Sequence, residues 1–151
     1  MSAGAQGDRM LTVRHLLEKK ARAVRAIAPD APVLDAIGLM AEHHVGALVV
    51  MQREELLGIV SERDYARKVI LLGRSSAHTA VREIMTTPVI TVSPMSTLDE
   101  CMRVVTEQRV RYLPVMENGR VVGVVSIGDL IKAVIEEQQH TIEQLESYIH
   151  S

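Results

Sequence analysis

The sequence predicts an α+β fold of two β-α-β-β-α units, and three observations predict it. They are an internal repeat, short apolar runs alternating with helix-periodic segments, and a glycine motif at matching places in both copies. Residues 29–64 return at a constant offset of 65 as residues 94–129, with ten of 36 positions identical and no gap. The identities include Pro29/Pro94, Glu42/Glu107, Gly58/Gly123, Ser61/Ser126 and Asp64/Asp129. Apolar agreement arises between any two copies of one fold, whereas Gly-x-x-Ser-x-x-Asp written twice asks for a particular local geometry. A solenoid wants at least about three repeats. Two copies are expected instead to close on each other, each covering the other's open face.

Taken in order, residues 1–9 read as a disordered start, rich in Gly, Ala and Ser. Thr12 can cap a short helix with Val13, Leu16 and Leu17 on one face. Thr79 or Ala80 begins the matching Val81, Ile84, Met85 segment at an offset of about 68, so the first copy carries a basic loop with Lys19, Lys20 and Arg22. Val24 to Ala28 and Val89 to Ser93 read as short strands ending at a proline turn. Helical spacing follows in Val33, Ile37, Met40, Ala41 and His44, and again in Leu98, Cys101, Met102 and Val105. The runs from Ala47 to Met51 and from Leu113 to Met116 are short and β-branched enough to be buried strands. Pro114 has no backbone donor, so its strand should be an edge or be interrupted there. Asn118-Gly119 is a strong two-residue hairpin signal. Ser61 and Ser126 start the closing helices. The first stops near Gly73, a good C-cap residue, while the second keeps an apolar stripe through Ile142, Leu145 and Ile149 that has no partner within its own repeat. The expected organisation is a first repeat at 10–73, a second at 79–135 and a helical extension at 136–151. The extension is expected to pack on the N-terminal helix or on a second subunit.

Composition narrows the function. The 151 residues suit one domain of ordinary size. There is no Phe or Trp and there are three Tyr, so the core is built from aliphatic residues and stacking platforms for single-stranded nucleic acid are absent. A formal charge of -2 lacks the basic footprint of phosphate-dominated binding, which argues against DNA or RNA. The lone Cys101 cannot form an internal disulfide and suits a reducing compartment as a small core residue. No stretch approaches the roughly 20 apolar residues of a membrane span, and no apolar leader core is visible. A cytoplasmic protein without a membrane partner is expected.

With this unit order and the twin motif in place, the chain resembles the cystathionine-beta-synthase (CBS) domain family, specifically its small stand-alone pairs. The segments that carry the resemblance are Glu42 to Val50, Gly58 to Tyr65, Glu83 to Thr86, Arg109 to Val115 and Gly123 to Asp129, in order and duplicated. The resemblance implies a tandem pair packed about a pseudo-twofold axis, with clefts between the repeats that take adenosine nucleotides of the AMP, ATP or NAD type. It also implies a regulatory module and a homodimer, with no obligatory cofactor.

The residues support the same sites. Asp64 and Asp129 stand three residues after Ser61 and Ser126, in the first turn of a helix that follows a buried strand. An ionised carboxylate there can accept hydrogen bonds from the vicinal hydroxyls of a ribose, and helix N-termini favour phosphate oxygens. Arg63 lies inside the first motif, and Arg109 and Arg111 precede the strand of copy two, where the resemblance places phosphate-holding residues; His44 and Gly46 hold those places in copy one. The backbone near Val24 and Val89, with Ala47, Leu48, Tyr112 and Pro114, would wall the adenine, and Thr86-Thr87 adds a hydroxyl. The alternative for Ser-x-x-Asp is a helix cap, and for the two glycines a close backbone approach. His43-His44 point about 100° apart on a helix and lack a third ligand. No Gly-x-Ser-x-Gly, His-Glu-x-x-His or P-loop is present, so catalysis and a metal are not expected. The competing class is a nucleotide-independent scaffold that binds partners through its long terminal helix. The regulated partner is not readable from the sequence.

Overall fold

The computed structural model describes residues 11–19 and 24–150. The expected disordered start and most of the basic loop lie outside the described residues. Among the described residues the elements are α1 (Val13–Glu18), β1 (Ala26–Ile27), α2 (Val33–His43), β2 (Ala47–Gln52), β3 (Glu55–Ser61), α3 (Glu62–Tyr65) with a π-helical continuation (Ala66–Ile70), a 3-10 turn (Val81–Glu83), α4 (Leu98–Gln108), β4 (Tyr112–Glu117), β5 (Arg120–Ser126) and α5 (Ile127–His150). Contacts divide the chain into two compact units. The first holds β1 through Thr91 together with Glu117–Val122; the second holds α1, Val92–Met116 and the chain from Gly123 onward.

These units are not simply the two sequence copies, because the copies exchange their opening turns. In the second unit, α1 is tied to the start of α4: Val13 N–H donates to Ser96 O at 2.9 Å and Leu98 N–H to Leu11 O at 2.9 Å. In the first unit, the 3-10 turn is tied to the start of α2 by the register-equivalent bonds, Val81 N–H to Ala31 O at 2.8 Å and Val33 N–H to Thr79 O at 2.8 Å. The exchange reaches the core. Val81 and Ile84 join Ile27, Val33, Ala36, Met40, Leu48, Val50, Val60 and Val69 in the buried cluster of the first unit.

The buried helix faces repeat as well. Val33, Ala36 and Met40 of α2 register with Leu98, Cys101 and Val105 of α4, and all six are buried. The expected face of α2 is corrected in part: Ala41 and His44 are exposed, and Ala36 takes the inward place. Thr97 caps α4 by accepting from Glu100 N–H at 3.1 Å, while Glu100 returns to Thr97 N–H at 2.7 Å, a reciprocal capping box.

In the first unit β1 runs parallel to β2 (Ala26↔Val49, Ile27↔Val50) and β2 antiparallel to β3. Among the described residues, copy two keeps only one parallel bridge, Val92↔Val115, beside the β4-β5 hairpin. Pro114 explains the loss. Its counterpart Val49 donates its N–H to Arg25 O at 3.1 Å, and a proline cannot make that bond. The strand expected at Val89 to Ser93 therefore shrinks to its Val92 bridge. Both hairpins turn on two residues with positive φ: Asn118 (53°) and Gly119 (78°), as expected, but also Arg53 (53°) and Glu54 (68°).

Candidate functional site

Ser61 closes β3 and caps α3. Its Oγ accepts from Asp64 N–H at 3.2 Å, and Asp64 Oδ2 accepts from Ser61 N–H at 3.0 Å and from Ser61 Oγ at 3.1 Å. Copy two repeats the box: Ser126 Oγ accepts from Asp129 N–H at 3.1 Å, and Asp129 Oδ2 accepts from Ser126 N–H at 2.8 Å. In both copies one carboxylate oxygen is thus turned back onto the chain, which is the cap geometry the sequence allowed as an alternative. The box also fixes each carboxylate at the junction of strand and helix.

Asp64 Oδ1 accepts from Thr86 Oγ1 at 3.3 Å and pairs with Lys68 Nζ at 3.2 Å, and the side chain is only 12% exposed. Lys68 also donates to Ile84 O at 2.9 Å, so the ammonium is held by the exchanged turn. A sugar hydroxyl at Asp64 has to compete with both donors. Of the Thr86-Thr87 pair, Thr86 supplies a hydroxyl to Asp64. Lys68 went unselected in the sequence, although its i,i+4 spacing from Asp64 is the signal that finds it.

The glycines serve packing. A Cβ on Gly58 would lie 2.7 Å from Met85 Sδ and 3.0 Å from Thr86 O, and one on Gly123 would lie 2.6 Å from Leu17 Cδ2. Met85 and Leu17 are register equivalents on the exchanged turns, so each glycine lets an opening turn lie against its sheet.

The first unit gathers His44, Ser61, Arg63, Asp64, Thr87 and Val89, and the second gathers Arg109, Arg111, Tyr112, Pro114, Ser126 and Asp129. His44 and Arg109 take the same place, a left-handed C-cap at φ 54° and 56°. Both are exposed, as are Arg63, Arg111 and Thr87; Val89, Tyr112, Ser126 and Asp129 are half-buried, and Pro114 is buried within β4. Arg111 is tied to the motif through its backbone, since Ile127 N–H donates to Arg111 O at 2.8 Å. Gly46 O makes the equivalent bond with Glu62 N–H at 3.0 Å but carries no cation. Of the residues expected from the sequence, Ser126, Asp129, Arg109 and Arg111 thus fall in the second unit, and Ser61, Asp64 and Arg63 in the first.

Elsewhere, burial and then the neighbouring Glu100 push the Cys101 thiol up to about 11, so it stays protonated at neutral pH. His43 pairs with Glu42 at 3.6 Å. No group of three or more His, Cys, Asp or Glu fit to hold a metal occurs among the described residues, and no helix of these is long and apolar enough to cross a membrane.

Comparison with known proteins matches the CBS domain profile to residues 13–70 and 81–136. A mitochondrial CBS domain-containing protein of Arabidopsis thaliana is 42% identical over 125 residues, 80% of this chain; the chain spans 61% of that relative's length. A solved structure from Burkholderia ambifaria, described as a candidate signal-transduction protein with CBS domains, is 48% identical with a TM-score of 0.81, covering 84% of this chain and 96% of its own. A CBS domain pair solved with 5′-methylthioadenosine and S-adenosyl-L-methionine shares the fold at a TM-score of 0.76 and 20% identity, covering 85% of this chain and 98% of its own.

Proposed function

Because the chain belongs to the CBS domain family as a tandem pair, we propose that it is a regulatory module that binds an adenosine nucleotide and passes its occupancy to a partner. The observation that carries this reading is the second unit's combination of Asp129 and Ser126 with Arg111, whose carbonyl is bonded to the first amide of α5 at 2.8 Å. In this reading Asp129 receives the ribose hydroxyls. Arg109 and Arg111 hold phosphate, by charge-assisted hydrogen bonds. Tyr112 is a candidate contact for the base. Copy one, with His44 and Gly46 in place of the arginine pair, binds more weakly, although Ser61, Arg63, Thr87 and His44 stand near its motif in sequence. The adenosine ligands of the solved CBS pair support this ligand class, and AMP, ATP and NAD all present the half that the motif addresses. The role is regulatory rather than catalytic, in a homodimer, and its place is the cytoplasm; the Arabidopsis relative works under a mitochondrial name.

A thermal-shift panel tests it. AMP, ATP or NAD at 100-fold its dissociation constant should add about 2.7 kcal/mol of stability. Asp129→Ala should abolish the shift and Asp64→Ala should leave most of it. A second reading, a scaffold that needs no nucleotide, draws on the paired capping boxes and the exposed apolar residues of α5; it prevails if none of the three compounds moves the melting curve.

A further inference from the structure

α5 is 24 residues long, whereas its copy-one counterpart ends its π-helical continuation at Ile70. Leu130 and Ala133 bury its beginning, yet Ile131, Ile135, Ile142, Leu145 and Ile149 are between 46% and 74% exposed. With Gln138, these residues fall at alternating steps of four and three: 131, 135, 138, 142, 145 and 149. That spacing is the narrow seam of a coiled coil, with Ile135, Ile142 and Ile149 at one core position of the heptad and Ile131, Gln138 and Leu145 at the other. Five branched aliphatic side chains in one line on an open helix favour burial against a like surface.

We propose that residues 131–149 pair with the same segment of a second copy of this chain, in antiparallel orientation. The flanking charges decide the direction. Setting Ile135 against Leu145 of the partner subunit, and Ile149 against Ile131 of the partner subunit, brings Lys132 beside Glu146 of the partner subunit. Twofold symmetry makes that ion pair twice, because in such an interface each contact has its mirror. The same register sets Val134 beside Tyr148 of the partner subunit. A parallel pair instead sets Lys132 beside Ile127 and Glu146 beside Thr141, so neither charge meets its opposite. Lys132 and Glu146 are both exposed, as such flanking positions require. The paired segment is about 28 Å long at 1.5 Å per residue. This inference does not depend on the nucleotide reading.

Cysteine crosslinking in the full chain tests it, with the buried native Cys101 as the blank. The double variant Ile135→Cys/Leu145→Cys should form a covalent dimer under mild oxidation, because these positions oppose each other only in the antiparallel register. The single variant Ile142→Cys should not, since that position meets its own mate only in a parallel pair. In the double-cysteine background, Lys132→Glu should slow crosslinking severalfold at low salt, and Lys132→Glu with Glu146→Lys should restore it. Crosslinking by Ile142→Cys, its absence in the double variant, or no rescue by the charge exchange each overturns the proposal.

Discussion

Arg109 is held at φ 56°, a left-handed conformation that costs a residue with a side chain roughly 1–2 kcal/mol. Glycine removes that strain and gives back about 0.5–1 kcal/mol through its freer unfolded chain. Arg109→Gly should therefore raise the melting temperature of the free protein by about 2 °C while shrinking the nucleotide-induced shift. His44→Gly should give the same gain and leave the ligand shift nearly whole. A fall in free-protein stability, or an undiminished ligand shift in Arg109→Gly, would count against a functional reason for the arginine. The two motif glycines separate in another way. A Cβ on Gly58 presses on the backbone carbonyl of Thr86 as well as on Met85, whereas the three atoms nearest to one on Gly123 all belong to the Leu17 side chain. Overpacking of this kind costs about 1–3 kcal/mol. Gly58→Ala should sit at the upper end by denaturant unfolding, and Gly123→Ala at the lower end with partial recovery when combined with Leu17→Ala. Equal losses without that recovery would show that the close approach is not what the glycines are for.

Among the elements, the hairpins show what was legible and why. Asn118-Gly119 announces its turn because both residues tolerate positive φ. Arg53-Glu54 announces nothing, yet takes the same conformation, because pairing of β2 with β3 on either side leaves two residues to reverse the chain. Register overrode local preference there. Copying the second turn into the first, as Arg53→Asn with Glu54→Gly, should stabilise the protein by about 1 kcal/mol, read as a melting-temperature rise of about 2–4 °C. The 3.9 Å contact of Glu54 with Arg120 is lost, but both side chains are more than three quarters exposed and such pairs contribute little. No rise would mean that the left-handed pair carries no strain. The helices were legible from their apolar spacing, and the shortened first strand of copy two was half legible: Pro114 signalled a missing donor, but the strand it would interrupt lies more than twenty residues upstream. Lys68 was legible by spacing from Asp64, whereas Thr86 reaches that carboxylate only through the exchanged turn.

At the scale of the molecule, the exchange itself left no local sign in the sequence, since capping and periodicity report on neighbours along the chain and not on which copy a turn will join. It has a consequence for what can fold. A fragment cut as the repeat was expected, 10–73, keeps α2 and the β2-β3 hairpin but lacks Val81 and Ile84, both fully buried in the first unit. Removing one buried aliphatic side chain costs about 2–5 kcal/mol. Losing two therefore matches the 5–15 kcal/mol that holds an ordinary domain together. A fragment spanning 24–91 discards α1, which belongs to the other unit, and retains the 3-10 turn with its bonds to Ala31 and Val33. Urea unfolding followed by circular dichroism should show a cooperative transition for 24–91 and a featureless, low-amplitude slope for 10–73. If the shorter-reaching 10–73 unfolded as cooperatively as 24–91, the exchanged turn would be an accessory to the first unit rather than part of its core.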